Sequence, residues 1–144
     1  MLKLILFLIA CANVHALWEI QIESGQGWAK SLPCWRYNIF ITKLLFGKEI
    51  TGYHFWMMAM YQMAFHIPYL FINWSWKAEA ITQGLFIYYF ILEDILWFCW
   101  NPKYTIKKFH KHQIEWHKRW VFGLPLSYWM SAIIGGFLLL IGGR

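Results

Sequence analysis

The run AITQGLFIYYFILEDILWFCW, from Ala80 to Trp100, decides how the rest of the chain is read. It is apolar over about the 20 residues that a helix needs to cross a bilayer. Asn101-Pro102 stops it, because proline disfavours the helical conformation in the residue before it. Its only charged residues are Glu93 and Asp94, side by side. An ionised carboxylate at bilayer depth is costly unless it is paired, protonated or in contact with water. At 1.5 Å per residue the pair lies about 10 Å from the Trp100 end. Neighbours on a helix point about 100° apart, so the two cannot both face lipid cheaply. At least one is expected to face a polar interior.

Composition agrees with a membrane setting. The 144 residues are 60% hydrophobic and 22% aromatic but only 14% charged, against about 25% charged in a typical soluble domain. A soluble chain of this size has too much surface to hide so many large apolar side chains. The eleven Trp and eight Tyr fit the headgroup layers, where both residues are enriched as an aromatic belt. The net charge of +6 does not point to nucleic acid, because the basic residues concentrate between apolar runs with no recognised nucleic-acid module around them. Three cysteines, Cys11, Cys34 and Cys99, form no CxxC and suggest neither a disulfide framework nor a zinc knuckle.

Working outward, an all-α integral membrane protein is expected: a bundle of three to four transmembrane helices plus an amphipathic interfacial helix over about 103–120. Residues 1–22 read as a first span or an uncleaved signal-like segment. Lys3, the apolar run and Val14-His15-Ala16 resemble a secretory signal, and Leu8-Ile9-Ala10-Cys11 a lipoprotein box. A retained span is the preferred reading. Residues 23–52 read as an interfacial loop, broken by Gly25, Gly27 and Pro33, followed by a short helix. Residues 53–143 form the three-span bundle: Tyr53–Trp74, bent near its end by Pro68, then Ala80–Trp100, then Leu124–Gly143 with Gly135-Gly136 for close helix contact.

Between the last two spans lies NPKYTIKKFHKHQIEWHKRW. On a helical wheel Ile106, Phe109, Gln113, Trp116 and Trp120 gather on one side, and Lys107, Lys108, Lys111, Glu115, Lys118 and Arg119 on the other, the pattern of a helix lying on a membrane surface. Its lysines predict a cytoplasmic position and contact with anionic lipid, with Arg36, Lys107, Lys111, Lys118 and Arg119 as headgroup-binding candidates. The 23–52 loop then falls on the same side. The sequon Asn73-Trp74-Ser75 falls on the other, too close to the membrane for a glycan to be expected.

For chemistry, Glu93 and Asp94 are the catalytic candidates. With His54 and His117 they form the candidate ligand set for a divalent transition metal such as iron, zinc or manganese, with His66 and His110 as outside candidates. The histidine spacings match none of the HExxH or ExxH patterns that place two ligands of one helix on one ion. A metal would thus need ligands assembled from several segments.

Two functions are set against each other. The first is a non-catalytic subunit or assembly partner of other membrane subunits or of its own copies, with a structural carboxylate–histidine–basic cluster. The second is a metal-dependent enzyme acting on a lipid-like or headgroup substrate. A proton or ion transport component ranks third, since the outer halves of the spans offer few acidic residues. What separates the first two is whether Glu93, Asp94, His54 and His117 meet in one pocket.

Overall fold

The computed structural model describes residues 2–40, 42–43, 47–110 and 113–144. Four helices carry the fold: α1 (Leu2–Glu23), α2 (Gly52–Phe65), α3 (Trp76–Trp100) and α4 (Leu126–Gly142). Two short antiparallel pairs tie the connections at one end. β1 (Arg36–Tyr37) pairs with β2 (Ile50–Thr51), Arg36 opposite Thr51, and β3 (Trp120–Val121) pairs with β4 (Leu124–Pro125), Trp120 opposite Pro125. Two helices, α1 and α3, are long and apolar enough to cross a membrane. Their 22 and 25 residues reach about 33 and 38 Å at 1.5 Å per residue.

Local chemistry fixes the ends of α3. Ser75 caps it, its hydroxyl accepting from the Ala78 amide at 3.1 Å, and Glu79 lies in the first turn, where the helix dipole favours negative charge. At the other end Asn101 is 1% exposed. Its amide nitrogen donates to the Ser24 carbonyl at 2.7 Å and its side-chain oxygen accepts from the Lys103 amide at 3.0 Å. This one side chain joins the end of α3 to the end of α1.

α3 is the central element, packed by α1 along one side and α4 along another. Glycines permit the α3–α4 approach. A Cβ at Gly84 would lie 3.1 Å from the Gly135 carbonyl oxygen, and one at Gly142 would lie 2.7 Å from the Lys77 carbonyl oxygen. The α4 glycines thus serve contact within the chain.

The structure corrects the expected second span. Proline lacks an amide hydrogen and its ring clashes with the carbonyl four residues earlier. Pro68 therefore ends the helix instead of bending it: α2 stops at Phe65, and a 3-10 turn, Ile67–Leu70, follows. Along its length α2 touches α3 only sparsely, and the gap this leaves is where the site lies.

The amphipathic helix expected over 103–120 is also corrected. Thr105 has φ +57°, outside the helical region. The described residues of the segment, 103–110 and 113–119, run as turns with a 3-10 turn at Ile106–Lys108, before β3 begins at Trp120. Its aromatic residues pack inward. Ile114 is 2% exposed and joins Ala16, Ile20, Trp97 and Phe98 in the core, with Tyr104, Phe109, Trp116 and Trp120 packed around them. The wheel pattern arose from core contacts made by an irregular segment. Gly27, at φ +45°, gives room to the Trp116 ring, whose atoms would lie within 2.8 Å of a Cβ there. The short helix expected before Gly47 falls partly outside the described residues, although Phe40, Thr42 and Lys43 are helical.

Candidate functional site

A cavity of about 620 Å³ lies along α3 between Gln83 and Trp97. Its wall is apolar where Met57 and Met58 of α2 face Phe86, Ile87, Phe90 and Ile91 of α3. At its other end Glu19, Glu23, His54, Glu93, Asp94, His117 and Lys48 converge from five segments of the chain. Glu49 also reaches the wall, but it is occupied by Arg36 at 2.6 Å.

Each element delivers its side chain for a definable reason. On α1, His15, Glu19 and Glu23 stand four residues apart and so share one face; all three are buried. On α2, Thr51 caps the helix, which places His54 in its first turn. The His54 Nδ1 lies 2.7 Å from the Thr51 hydroxyl, and its ring stacks on Trp28 at 4.1 Å. Nε2 of the same ring faces Glu23 at 3.5 Å and Glu19 at 3.8 Å. When Nε2 carries the ring proton it can donate to either carboxylate, and when Nδ1 carries it Nε2 is free to accept from a protonated carboxyl group or to bind a cation.

α3 presents Glu93 and Asp94 in two directions, as their adjacency requires. Asp94 accepts from the Tyr128 hydroxyl on α4 and faces His117 Nε2 at 3.5 Å. Glu93 turns towards α1 and is 3% exposed. Among the described residues, Oε1 of Glu93 and Oε1 of Glu19 are buried without a hydrogen-bond partner, as is Nδ1 of His15. The Glu19 and Glu93 carboxyl groups stand beside each other and Tyr53 beside Glu19, so a shared proton or a bound cation would satisfy them.

Lys48 brings positive charge to the rim. Its ammonium sits 3.3 Å over the Trp28 ring, a cation–π geometry. Burial pushes it down to about 8, against the pull of Asp94, Glu23 and Glu19. His117 is lowered from its ordinary value by burial, with Asp94 holding it up in part.

The structure thus brings together the four residues expected to share a pocket, His54, Glu93, Asp94 and His117. It places the other candidates elsewhere. His66 caps the far end of α2, bonded to the Gln62 carbonyl at 2.6 Å and to Glu79 at 3.2 Å. His110 is an exposed turn residue beyond the cavity lining. Arg36 is held by Glu49 and the Ala29 carbonyl. Lys107, Lys118 and Arg119 are exposed, and Lys111 lies outside the described residues. Sequence reasoning missed His15, Glu19, Glu23, Lys48 and Tyr128. The signal for the first three was their spacing of four, which runs along the first apolar segment and onto the residue after it.

No known family matches this chain, and no curated protein or solved structure resembles it.

Proposed function

We propose that this chain is an integral membrane protein, a bundle of helices that holds a divalent transition metal near its inner surface. It acts there as a metal-dependent enzyme on a lipid-like molecule whose apolar part occupies the cavity. The observation that carries the reading is the meeting of Glu19, Glu23, Glu93 and Asp94 with His54 and His117 at one end of a cavity whose remaining wall is largely apolar. So many carboxylates taken out of water must be protonated or meet positive charge, and Lys48 is one cation against four of them. A bound cation is the largest local charge such a site can hold. Nitrogen and carboxylate donors suit iron, zinc or manganese.

The cavity volume falls in the range of sites that enclose a small organic ligand. Its apolar wall suits an acyl or similar chain and its polar end suits a headgroup. The metal would supply Lewis acidity or an activated water. Asp94, held by Tyr128 and facing His117, is placed to orient that ring at the polar end of the cavity.

Several features support the membrane setting. Large apolar side chains such as Phe7, Val14, Met63, Phe71, Ile133 and Leu140 stand exposed around the helices, and a bilayer would cover them. The described parts of both basic connections, 24–51 and 101–125, lie at the same end, which fits a cytoplasmic side facing anionic lipid through Lys107, Lys118 and Arg119. A purely structural cluster would draw its neutralising charge from Lys48, Lys118 or Arg119, and of these only Lys48 lines the cavity. Lys118 and Arg119 are exposed and make no ion pair among the described residues.

The test uses a brominated fatty acid, whose bromine quenches nearby tryptophan; Trp28, Trp97 and Trp116 line the cavity. Saturable quenching is expected in detergent, and Ile91→Trp, which fills the apolar end, should abolish its saturable part. Equal, unsaturable quenching of both proteins would refute the cavity as a lipid site.

A further inference from the structure

Two groups of metal-binding side chains share one carboxylate: His15, Glu19 and Glu93, and Glu19, Glu23 and His54. Within each group the ligand atoms lie within 4.8 Å of one another. Two bonds of about 2.1 Å to one ion allow a spacing up to about 4.2 Å, so side-chain movements of about half an ångström would close each group on an ion. We propose that the site is dinuclear, with Glu19 bridging one ion held by His15 and Glu93 and a second held by Glu23 and His54. This rests on the metal-binding reading above and adds the number of ions, the bridge and a ligand, His15, outside the cavity lining.

The first group stands on more than proximity. His15, Glu19 and Glu93 are 2%, 5% and 3% exposed. Each has a buried ligand atom without a hydrogen-bond partner among the described residues: Nδ1, Oε1 and Oε1. Nε2 of His15 meets the Met57 sulfur at 3.3 Å. When Nε2 carries the proton, Nδ1 is left as an acceptor with nothing to accept from. The ring is also fixed in plane by stacking on Tyr61 at 4.3 Å.

The second group shows the support expected around a ligand. Thr51 and Trp28 orient the His54 ring, and the Ala29 amide donates to Oε1 of Glu23. Hydrogen bonds from outer residues to ligating side chains are typical of metal sites. Spacing along α1 fits a pair of ions. Four residues rise about 6 Å, so Glu19 lies between His15 and Glu23 on one face, as a bridge must. Carboxylate-bridged ions stand roughly 3.5–4 Å apart. The donor set contains only imidazole and carboxylate, which favours iron or manganese over thiophilic ions.

The test is manganese loading of the full chain, purified in detergent through a tag without histidine. Metal per chain is counted by plasma mass spectrometry, and the manganese is inspected by electron paramagnetic resonance. The expected result is two ions per chain with a spin-coupled signal, one ion in His15→Ala and in His54→Ala, and less than one in Glu19→Gln. One ion per chain with an uncoupled six-line signal would overturn the dinuclear centre while leaving the metal-binding reading intact. No bound ion would remove both. The spectrum of the unaltered protein decides the matter even if a variant fails to fold.

Discussion

Replacing Glu93 by Gln should change stability in opposite directions with and without metal. The ligand atoms of Glu93 and Glu19 lie within 4.8 Å of each other. Two unit charges at that distance repel by about 3.5 kcal/mol at an effective dielectric constant of 20. A proton shared among the carboxylates absorbs part of this, so about 3.5 kcal/mol is the upper limit of the gain when Glu93 becomes permanently neutral. For a chain of this size each ~1 kcal/mol gained corresponds to about 2–4 °C in Tm. In excess chelator at neutral pH, Glu93→Gln should therefore melt above the parent. With manganese at about a hundred times its Kd, binding would stabilise the parent by about 2.7 kcal/mol, and the order should reverse. Thermal unfolding in detergent, followed by tryptophan fluorescence with and without metal, reads both. If Glu93→Gln melts below the parent by the same amount in both conditions, Glu93 is an ordinary buried structural residue and the reasoning fails.

Other outcomes follow from single contacts. Gly142→Ala drives a methyl to 2.7 Å from the Lys77 carbonyl oxygen and should cost about 1–3 kcal/mol by overpacking. Gly136→Ala meets only the tip of the Tyr88 side chain at 3.3 Å and should be tolerated; comparing the two melting temperatures checks the α3–α4 packing. Asn101→Ala leaves the Ser24 carbonyl and the Lys103 amide without their partner and should cost about 2 kcal/mol, measurable in the same melts. Burial keeps His117 below its ordinary value, while the unfolded chain takes up a proton near pH 6.5. Below about that pH the unfolded state binds more protons, so stability is present above it and is lost on acidification. His117→Gln should flatten part of that acid loss in a series of melts between pH 7.5 and 5.

Much of the helical framework was legible because each boundary had a local cause. Asn101-Pro102 ended α3 where the sequence placed the stop, and the breakers between Gly25 and Pro33 marked a connection. The carboxylate pair was legible too, since two adjacent charges in an apolar run demand a polar neighbour. Its neighbours were harder to see. Reading residues 1–22 as a signal or a plain span drew attention away from His15 and Glu19, although their common face was visible in the spacing.

The 103–120 segment misled for a physical reason. Alternation of aromatic and basic residues records which side chains are buried, and a turn-rich strap over the core buries Ile114 and Trp116 as effectively as a helix face would. Convergence of Glu19, His54 and His117 depends on how α1, α2 and the strap are arranged around α3, which no local pattern encodes.

The most direct measurement is the metal content of the detergent-purified chain, isolated without chelator and without a histidine tag. A Glu19→Gln/Glu93→Gln variant purified in parallel serves as its control. The account expects iron, manganese or zinc near stoichiometric amounts in the parent and its loss in the variant, with both proteins retaining helical circular dichroism. A folded parent that carries no metal and takes none up on addition would contradict it.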